Sequence, residues 1–254
     1  MLRTERQNQI VDLINKKGIA TIEELMAEVA ASKATIRRDV NDLADENRII
    51  KVRGGAQAVN ALPNEPSFNA KSLINAEEKQ RIAREAVKHI LPNDHIILDS
   101  GTTVLELAKC LHPFSDLTIV TNDIHIAGDI NTNSTNTLIF IGGIIRKGYC
   151  SSYGYYAESM LKDISVDKIF LSVDAIDADL GITSYTMDDV NLKIIGMNNA
   201  KEVYLLCDHS KFTTHAPFYS WITRQKFQLL SAEKKLDDSI AQKFRDAGKK
   251  IILV

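Results

Sequence analysis

The chain contains 254 residues, of which 44% are hydrophobic and 25% charged, and its formal net charge is −2. This length favours two domains, and the apolar content suffices for a large core without disulfides or metals. The nearly neutral charge excludes a general attraction to nucleic acid, so any DNA contact must come from a local basic patch. No apolar run is long enough to span a membrane, and the N-terminus lacks a secretory signal core, so we expect a cytoplasmic protein.

Three cysteines, Cys110, Cys150 and Cys207, are widely spaced, and none belongs to a CxxC pair. The spacing argues against a disulfide framework and against a zinc site, and it fits a reducing cytoplasm. We expect these cysteines to be small buried side chains, and we expect neither a metal nor a cofactor.

The first sixty residues predict three short amphipathic helices. The first has apolar residues at helical spacing and ends at Gly18. Thr21 is a predicted N-cap of the second helix, and Glu24 completes its capping box. Ser32 is a predicted N-cap of the third.

The third helix carries the pattern of a DNA-reading helix. With Ile36, Val40 and Leu43 facing the core, the opposite face presents arginine and asparagine, which can hydrogen-bond guanine and adenine edges. Residues in the first turn are better placed for phosphate. The predicted DNA contacts of this helix are Ser32, Lys33, Thr35, Arg37, Arg38 and Asn41. Its four acidic residues leave a solvated helix face as an alternative interpretation.

The stretch IIKVRGGAQAV then predicts two short strands joined by a Gly-Gly turn. Such a hairpin is typical of a wing, and Lys51 and Arg53 near its tip would reach flanking phosphates or the minor groove. Helices followed by a basic wing favour DNA binding over a purely structural or protein-binding module. We therefore predict a winged helix-turn-helix domain over residues 1–59.

These segments resemble the N-terminus of the DeoR family of bacterial sugar-metabolism repressors. The resemblance rests on ERQNQI, TIEEL, SKATIRRDVNDL and VRGGA. It implies that residues 20–39 form the helix-turn-helix proper and that Arg37 and Arg38 are central to operator binding.

Residues 60–76 contain two prolines and little periodicity, so we predict a linker there. Over residues 77–254 short apolar strands alternate with helical segments, which is typical of a mostly parallel α/β sheet. The predicted strands are HIILD, LTIV, TLIFI, KIFLSV, EVYLLCD and KIILV. Ligands of such sheets bind at the carboxyl ends of the strands.

The first of these strands runs into a hydroxyl-rich loop that opens a helix. Backbone N–H groups and the helix dipole at such a position favour a phosphate. The predicted phosphate loop consists of Asp99, Ser100, Gly101, Thr102 and Thr103. The alternative is that Ser100 or Thr102 only caps the helix.

Other strand ends supply further candidate effector ligands. Asparagine and aspartate can bond sugar hydroxyls, and glycines permit close approach of a ligand. A lysine near a phosphate would pair with it, but without that context Lys211 is an ordinary loop lysine. These candidates are Thr121, Asn122, Gly142, Gly143, Asp174, Asp189 and Lys211. Asp208 offers one more acceptor.

The motifs DSGTT, TN, IGG, VDAID and CDHSKF occur in the order seen in DeoR-family sensor domains, so the resemblance extends to residue 254. It implies a fold like that of ribose-phosphate isomerase and glucosamine-phosphate deaminase. It also implies an effector that is a phosphorylated sugar or sugar alcohol, held by DSGTT with help from Lys211. The subgroup most similar in motif is that of the galactitol and N-acetylgalactosamine repressors.

We therefore predict a homo-oligomeric repressor, dimer or tetramer, that binds double-stranded operator DNA and no membrane. The alternative is a sugar-phosphate isomerase or deaminase with an accessory DNA-binding head. Such an enzyme needs an acid–base pair over the substrate, and the six scattered histidines predict none.

Overall fold

The computed structural model describes residues 2–46, 48–52, 54–58, 65–178, 181–212, 216, 218–220, 227–231 and 236–254. The chain divides into two compact units, Met1–Pro66 and Ser67–Val254. No helix of the described residues combines the length and the apolarity needed to cross a membrane.

The N-terminal unit is a winged helix-turn-helix, as the sequence predicts. Its helices are α1 (Arg3–Lys17), α2 (Ile22–Val29) and α3 (Lys33–Asp45). Its strands are β1 (Ile19–Thr21), β2 (Ile49–Val52) and β3 (Gly55–Ala58), paired antiparallel in the order β1-β3-β2. The helices and the sheet enclose one apolar core.

Local signals fix the starts of α2 and α3. The Thr21 hydroxyl accepts the Glu24 N–H at 3.2 Å, and the Glu24 carboxylate accepts the Thr21 N–H at 2.9 Å. The Ser32 hydroxyl accepts the Thr35 N–H at 3.3 Å. In the wing, a Cβ on Gly55 would overlap the Ala20 carbonyl, so β1 and β3 can pair this closely only because residue 55 is glycine.

The C-terminal unit alternates strands and helices along the chain. Its helices are α4 (Phe68–Leu73), α5 (Ala76–Ala86), α6 (Thr102–Cys110), α7 (Ile124–Asn133), α8 (Tyr155–Lys162), α9 (Met187–Asn198) and α10 (Asp238–Asp246). Its strands are β4 (His95–Leu98), β5 (Thr118–Thr121), β6 (Thr137–Phe140), β7 (Ile144–Ile145), β8 (Ser152–Tyr153), β9 (Val166–Ser172), β10 (Ala175–Asp177), β11 (Gly181–Ser184), β12 (Ala200–Cys207), β13 (Phe218–Ser220), β14 (Gln228–Ser231) and β15 (Lys250–Leu253).

Seven of these strands form one sheet in the order β15-β14-β12-β9-β4-β5-β6, and every pair in it is parallel. All six predicted strands belong to it, so the α/β prediction is confirmed. The sheet has an apolar core on each face. Because side chains alternate along a strand, Ile169 and Leu171 of β9 lie in one core and Phe170 lies in the other.

The predicted linker, residues 60–76, is divided between the two units. The boundary between the units falls within residues 60–76, after Pro66, and residues 68–73 form α4 of the C-terminal unit. The Ser67 hydroxyl caps α4 by accepting the Ala70 N–H at 3.3 Å. The second half of the expected linker is therefore structured.

Candidate DNA interface and effector site

The exposed face of α3 carries the residues predicted to read DNA. Ile36, Val40 and Leu43 are buried in the core of the N-terminal unit. On the opposite face Arg37 and Arg38 are exposed. Exposed alongside them are Ala34 and Asn41. This face of α3 therefore presents two guanidinium groups and one amide to solvent.

Two of the four acidic residues predicted for the third helix pair with arginines of α1. Asp39 is buried, and its carboxylate accepts from the Arg6 guanidinium at 2.6 Å and 3.1 Å. Asp42 accepts from Arg3 at 2.7 Å. The carboxylates therefore fasten α3 to α1.

The first turn of α3 and the wing hold the predicted phosphate contacts. The Ser32 and Thr35 hydroxyls bond each other at 2.9 Å, and the Lys33 ammonium pairs with Glu23 at 2.8 Å. Lys51 is exposed on β2. Arg53 lies outside the described residues.

The DSGTT loop joins the carboxyl end of β4 to α6. Gly101 is the N-cap of α6, and no side chain caps this helix. The alternative that Ser100 or Thr102 caps it is therefore wrong. Gly101 has φ 152°, and a Cβ there would overlap the Ser172 side chain at the end of β9, which explains the glycine. The first N–H groups of α6 have no capping side chain to compete with an anion.

Asp99 and Ser100 are held by neighbours that the sequence did not reveal. The buried Asp99 carboxylate pairs with the Lys193 ammonium of α9 and accepts the Ser172 N–H at 3.1 Å. The Ser100 hydroxyl donates to Asp123 at 2.7 Å. Asp123 in turn caps α7. The loop is thus fixed from both sides of the sheet.

The candidates after β5 and β6 have structural partners. The Thr121 hydroxyl is buried and accepts the Asp123 N–H at 3.1 Å, and the Asn122 amide donates to the Ser152 carbonyl at 3.0 Å. At Gly143 an added Cβ would lie 2.6 Å from the Tyr153 carbonyl. At Gly143 the close approach is therefore made by the backbone of Tyr153. Nothing lies within 4 Å of a Cβ added at Gly142.

Asp174 is a half-buried acceptor beyond β9. One of its oxygens accepts from the Lys71 ammonium at 2.7 Å. The other accepts from the Ser184 hydroxyl at 3.1 Å and the Tyr185 N–H at 3.4 Å. Burial raises the pKa of Asp174, but the nearby ammonium groups, Lys71 first, outweigh it and lower the pKa to about 2. The side chain of Asp189 in α9 lies outside the described residues.

Asp208 lies directly after β12, at its carboxyl end, and borders the candidate site. Its carboxylate accepts from the Asn75 amide at 2.8 Å and the Ser210 N–H at 3.0 Å. The buried Lys79 ammonium lies close by, donates to the Ile74 carbonyl at 2.6 Å, and has its pKa lowered by burial to about 8. In the described part of the chain no carboxylate lies within 4.0 Å of the Lys211 ammonium. Its charge nevertheless lowers the pKa of both Asp174 and Asp208, so Lys211 lies near these two carboxylates.

The carboxyl ends of β4, β9 and β12 therefore gather lysines from four separate segments of the chain. They are Lys71, Lys79, Lys193 and Lys211, and they surround Asp99, Asp174 and Asp208. Only Lys211 was predicted for the site. Lys71 stands in the expected linker, and Lys79 and Lys193 occupy ordinary helical positions, so no local motif marked them.

Beside this cluster, Glu78, Asp208 and His209 bring their potential ligand atoms within 4.8 Å of one another. Such a trio could hold a metal ion, but the ammonium groups of Lys79 and Lys211 act on Asp208 from close range and oppose a further cation. His209 bonds Glu78 through Nδ1 at 2.7 Å. This is a partnered acid–base pair that the sequence did not predict.

Comparisons with known proteins give a match for each of the two units. The DeoR-like helix-turn-helix domain matches residues 6–61, and the DeoR C terminal sensor domain matches residues 74–230. The chain is 32% identical over 248 residues to the HTH-type transcriptional regulator GolR of Listeria innocua, covering 98% of this chain and 97% of GolR. It is 32% identical over 216 residues to the glycerol-3-phosphate regulon repressor of Escherichia coli, covering 85% of each chain.

A solved structure, ribose 5-phosphate isomerase A from Methanocaldococcus jannaschii, is similar at 18% identity. The match covers 54% of this chain and 55% of the isomerase, with a TM-score of 0.41. The two domain matches together span most of the sequence in the order of the two units. The chain therefore belongs to the DeoR family of transcriptional regulators.

Proposed function

We propose that this regulator is a repressor that binds operator DNA through α3 and the wing and is controlled by a phosphorylated sugar or sugar alcohol. The observation that supports control by a phosphorylated effector is the start of α6, which has no side-chain cap and lies at a sheet edge rich in lysines. Its N–H groups and dipole favour a phosphate, and Lys211 supplies a cation. We propose a cytoplasmic location, since the bound partner would be chromosomal DNA.

For the DNA half, the exposed Arg37, Arg38 and Asn41 would read base edges. Ser32, Lys33, Thr35, Lys51 and Arg53 would contact phosphates and fix the register. A single reading head contacts too few base pairs for operator specificity, so we propose that the protein binds as a homodimer or larger assembly.

For the effector half, the phosphate would lie at the start of α6, against Ser100, Gly101, Thr102 and Thr103. The sugar hydroxyls would reach the acceptors at neighbouring strand ends, with Asp174 the best placed because its carboxylate is held ionised. Asn122, Asp189 and Gly142 complete the proposed contacts, while Asp99, Thr121 and Gly143 would shape the site through the contacts described above.

We propose that the effector is sensed and not chemically converted. The His209–Glu78 pair favours the isomerase or deaminase alternative, because a general base needs such a partner. Glu78 is only 2% exposed, however, and His209 directs Nδ1 at it, so the carboxylate is closed off from a ligand. Incubating the protein with sugar phosphates and amino-sugar phosphates, followed by mass and NMR analysis, would detect turnover and contradict this view.

Calorimetric titration of the full-length chain tests the sensing function. The compounds are glycerol 3-phosphate, glucose 6-phosphate, galactose 6-phosphate and galactitol 1-phosphate, each beside its unphosphorylated form. We expect at least one phosphorylated compound to bind while its unphosphorylated form does not. Binding of both forms with equal affinity would contradict the phosphate site at α6.

A further inference from the structure

The segment that enters the C-terminal unit lies across the proposed effector site. This entry strap, residues 67–79, comprises α4, the turn after it and the start of α5. Because the unit boundary lies just before Ser67, the strap is the N-terminal end of the C-terminal unit, where the chain from the DNA-binding unit enters it. A shift of the strap would therefore move the point at which the two units are joined in sequence.

Polar side chains fasten the strap to two strand ends of the sheet. Lys71 pairs with Asp174 beyond β9 at 2.7 Å, and Asn75 donates to Asp208 beyond β12 at 2.8 Å. Lys79 donates to the carbonyls of Lys71 and Ile74 and so closes the turn after α4. The anchors of the strap are thus residues of the proposed effector site.

The Lys71–Asp174 pair is the anchor that a ligand can most readily exchange. The Lys71 ammonium lies 5.8 Å from the centre of the Tyr149 ring and 5.6 Å from that of Tyr185. The Lys71 and Asp174 side chains keep 18% and 12% of their surface exposed, so solvent and small anions reach the pair. Asp174 retains its contacts with Ser184 and Tyr185 if Lys71 leaves.

The geometry points to Lys71 as the residue that couples effector binding to the DNA-binding unit. This inference rests on the proposed function. A phosphate carries nearly two negative charges at neutral pH and a carboxylate carries one, so a phosphate bound at the start of α6 competes with Asp174 for the Lys71 ammonium. Lys71 leaves Asp174 for the phosphate, and α4 loses the ion pair that holds it on β9. The two states of the strap then differ in effector affinity, as linkage requires.

The test is the effect of ligand on operator affinity in the full-length chain. The operator is a duplex selected from genomic DNA by the protein, and the ligand is the phosphorylated compound of the titration panel that binds most tightly. In the unsubstituted protein we expect saturating ligand to change the operator Kd by about 5-fold or more. In Lys71→Met the change should fall below about 2-fold even at saturation. Lys88→Met, at an exposed lysine paired with Glu85, is the matched control and should keep the full change.

Full coupling in Lys71→Met at saturating ligand would overturn the inference, because Lys71 would then only contribute to ligand affinity. Asp174→Asn breaks the same pair with a side chain of equal size and should also reduce the coupling, so a folding defect of one variant leaves a second test. Absence of binding and coupling in the unsubstituted protein would overturn the proposed function and this inference with it. The inference is supported if Lys71→Met and Asp174→Asn both lose the coupling while Lys88→Met and the unsubstituted protein retain it.

Discussion

Arg38 on the exposed face of α3 provides the most direct residue-scale test of DNA reading. A bidentate arginine–guanine contact contributes about 1–3 kcal/mol of discrimination between bases. We expect Arg38→Ala to remove specific operator binding while effector binding is unchanged. Arg38→Lys should keep salt-dependent non-specific binding but lose specificity, because an ammonium lacks the fork of the guanidinium. Fluorescence anisotropy with operator and scrambled duplexes measures both, and normal operator preference in Arg38→Ala would refute the assignment.

Lys211 tests the effector site at the same scale. Hydrogen bonds to charged groups contribute about 1.5–3 kcal/mol, so we expect Lys211→Ala to weaken binding of a phosphorylated effector by about 10-fold or more. Operator affinity without effector should not change. Lys162→Ala, at an exposed lysine near the end of α8, is the control. Unchanged effector affinity by calorimetry would remove Lys211 from the site.

The sequence marked candidate site residues where they stand in a motif, and it did not mark the distant side chains that hold them in place. The DSGTT loop and Lys211 each follow an apolar strand, so their place at the carboxyl edge could be inferred from the strand alone. Lys193 and Asp123 act through partners far along the chain, Asp99 and Ser100. Such pairings depend on the packed fold, and a single sequence does not record them.

At the scale of elements, the junction of β4 and α6 depends on Gly101. A methyl group there would meet Ser172, and φ 152° is unfavourable for any other residue, so we expect Gly101→Ala to destabilise the protein by about 2 kcal/mol or more. Gly128→Ala is the matched control at an exposed position of α7, where nothing lies within 4 Å of an added Cβ and alanine favours the helix by about 0.5–1 kcal/mol. Scanning calorimetry should thus show opposite shifts of the melting temperature. A Gly101→Ala variant as stable as the unsubstituted protein would contradict this description of the junction.

Elements with strong local patterns were predictable, and those decided by distant pairing were not. Caps at Thr21 and Ser32 and the long apolar strands are signals within a few residues. Strand β1 has three residues and exists because Gly55 lets β3 approach it. Helix α4 follows a proline-containing stretch without periodicity, so its position on the sheet, held by Lys71, could not be predicted.

At the scale of the whole molecule, the net charge of −2 does not describe how charge is distributed within the two units. In the N-terminal unit, carboxylates of α3 pair with α1 while Arg37 and Arg38 are exposed, whereas the C-terminal unit holds buried lysine–aspartate pairs such as Lys193–Asp99. The two-unit organisation was predicted from length and alternation. The beginning of the second unit was not, because the strap belongs to it through tertiary contacts.

The central claim is that a phosphorylated sugar bound by the C-terminal unit controls DNA binding by the N-terminal unit. Its most direct test is an anisotropy titration of a selected operator duplex with the full-length protein, with and without each compound of the phosphorylated and unphosphorylated pairs. We predict that one phosphorylated compound changes the operator Kd by about 5-fold or more and that its unphosphorylated form does not. An operator Kd that stays the same with every compound, or that responds equally to both members of a pair, would contradict the account.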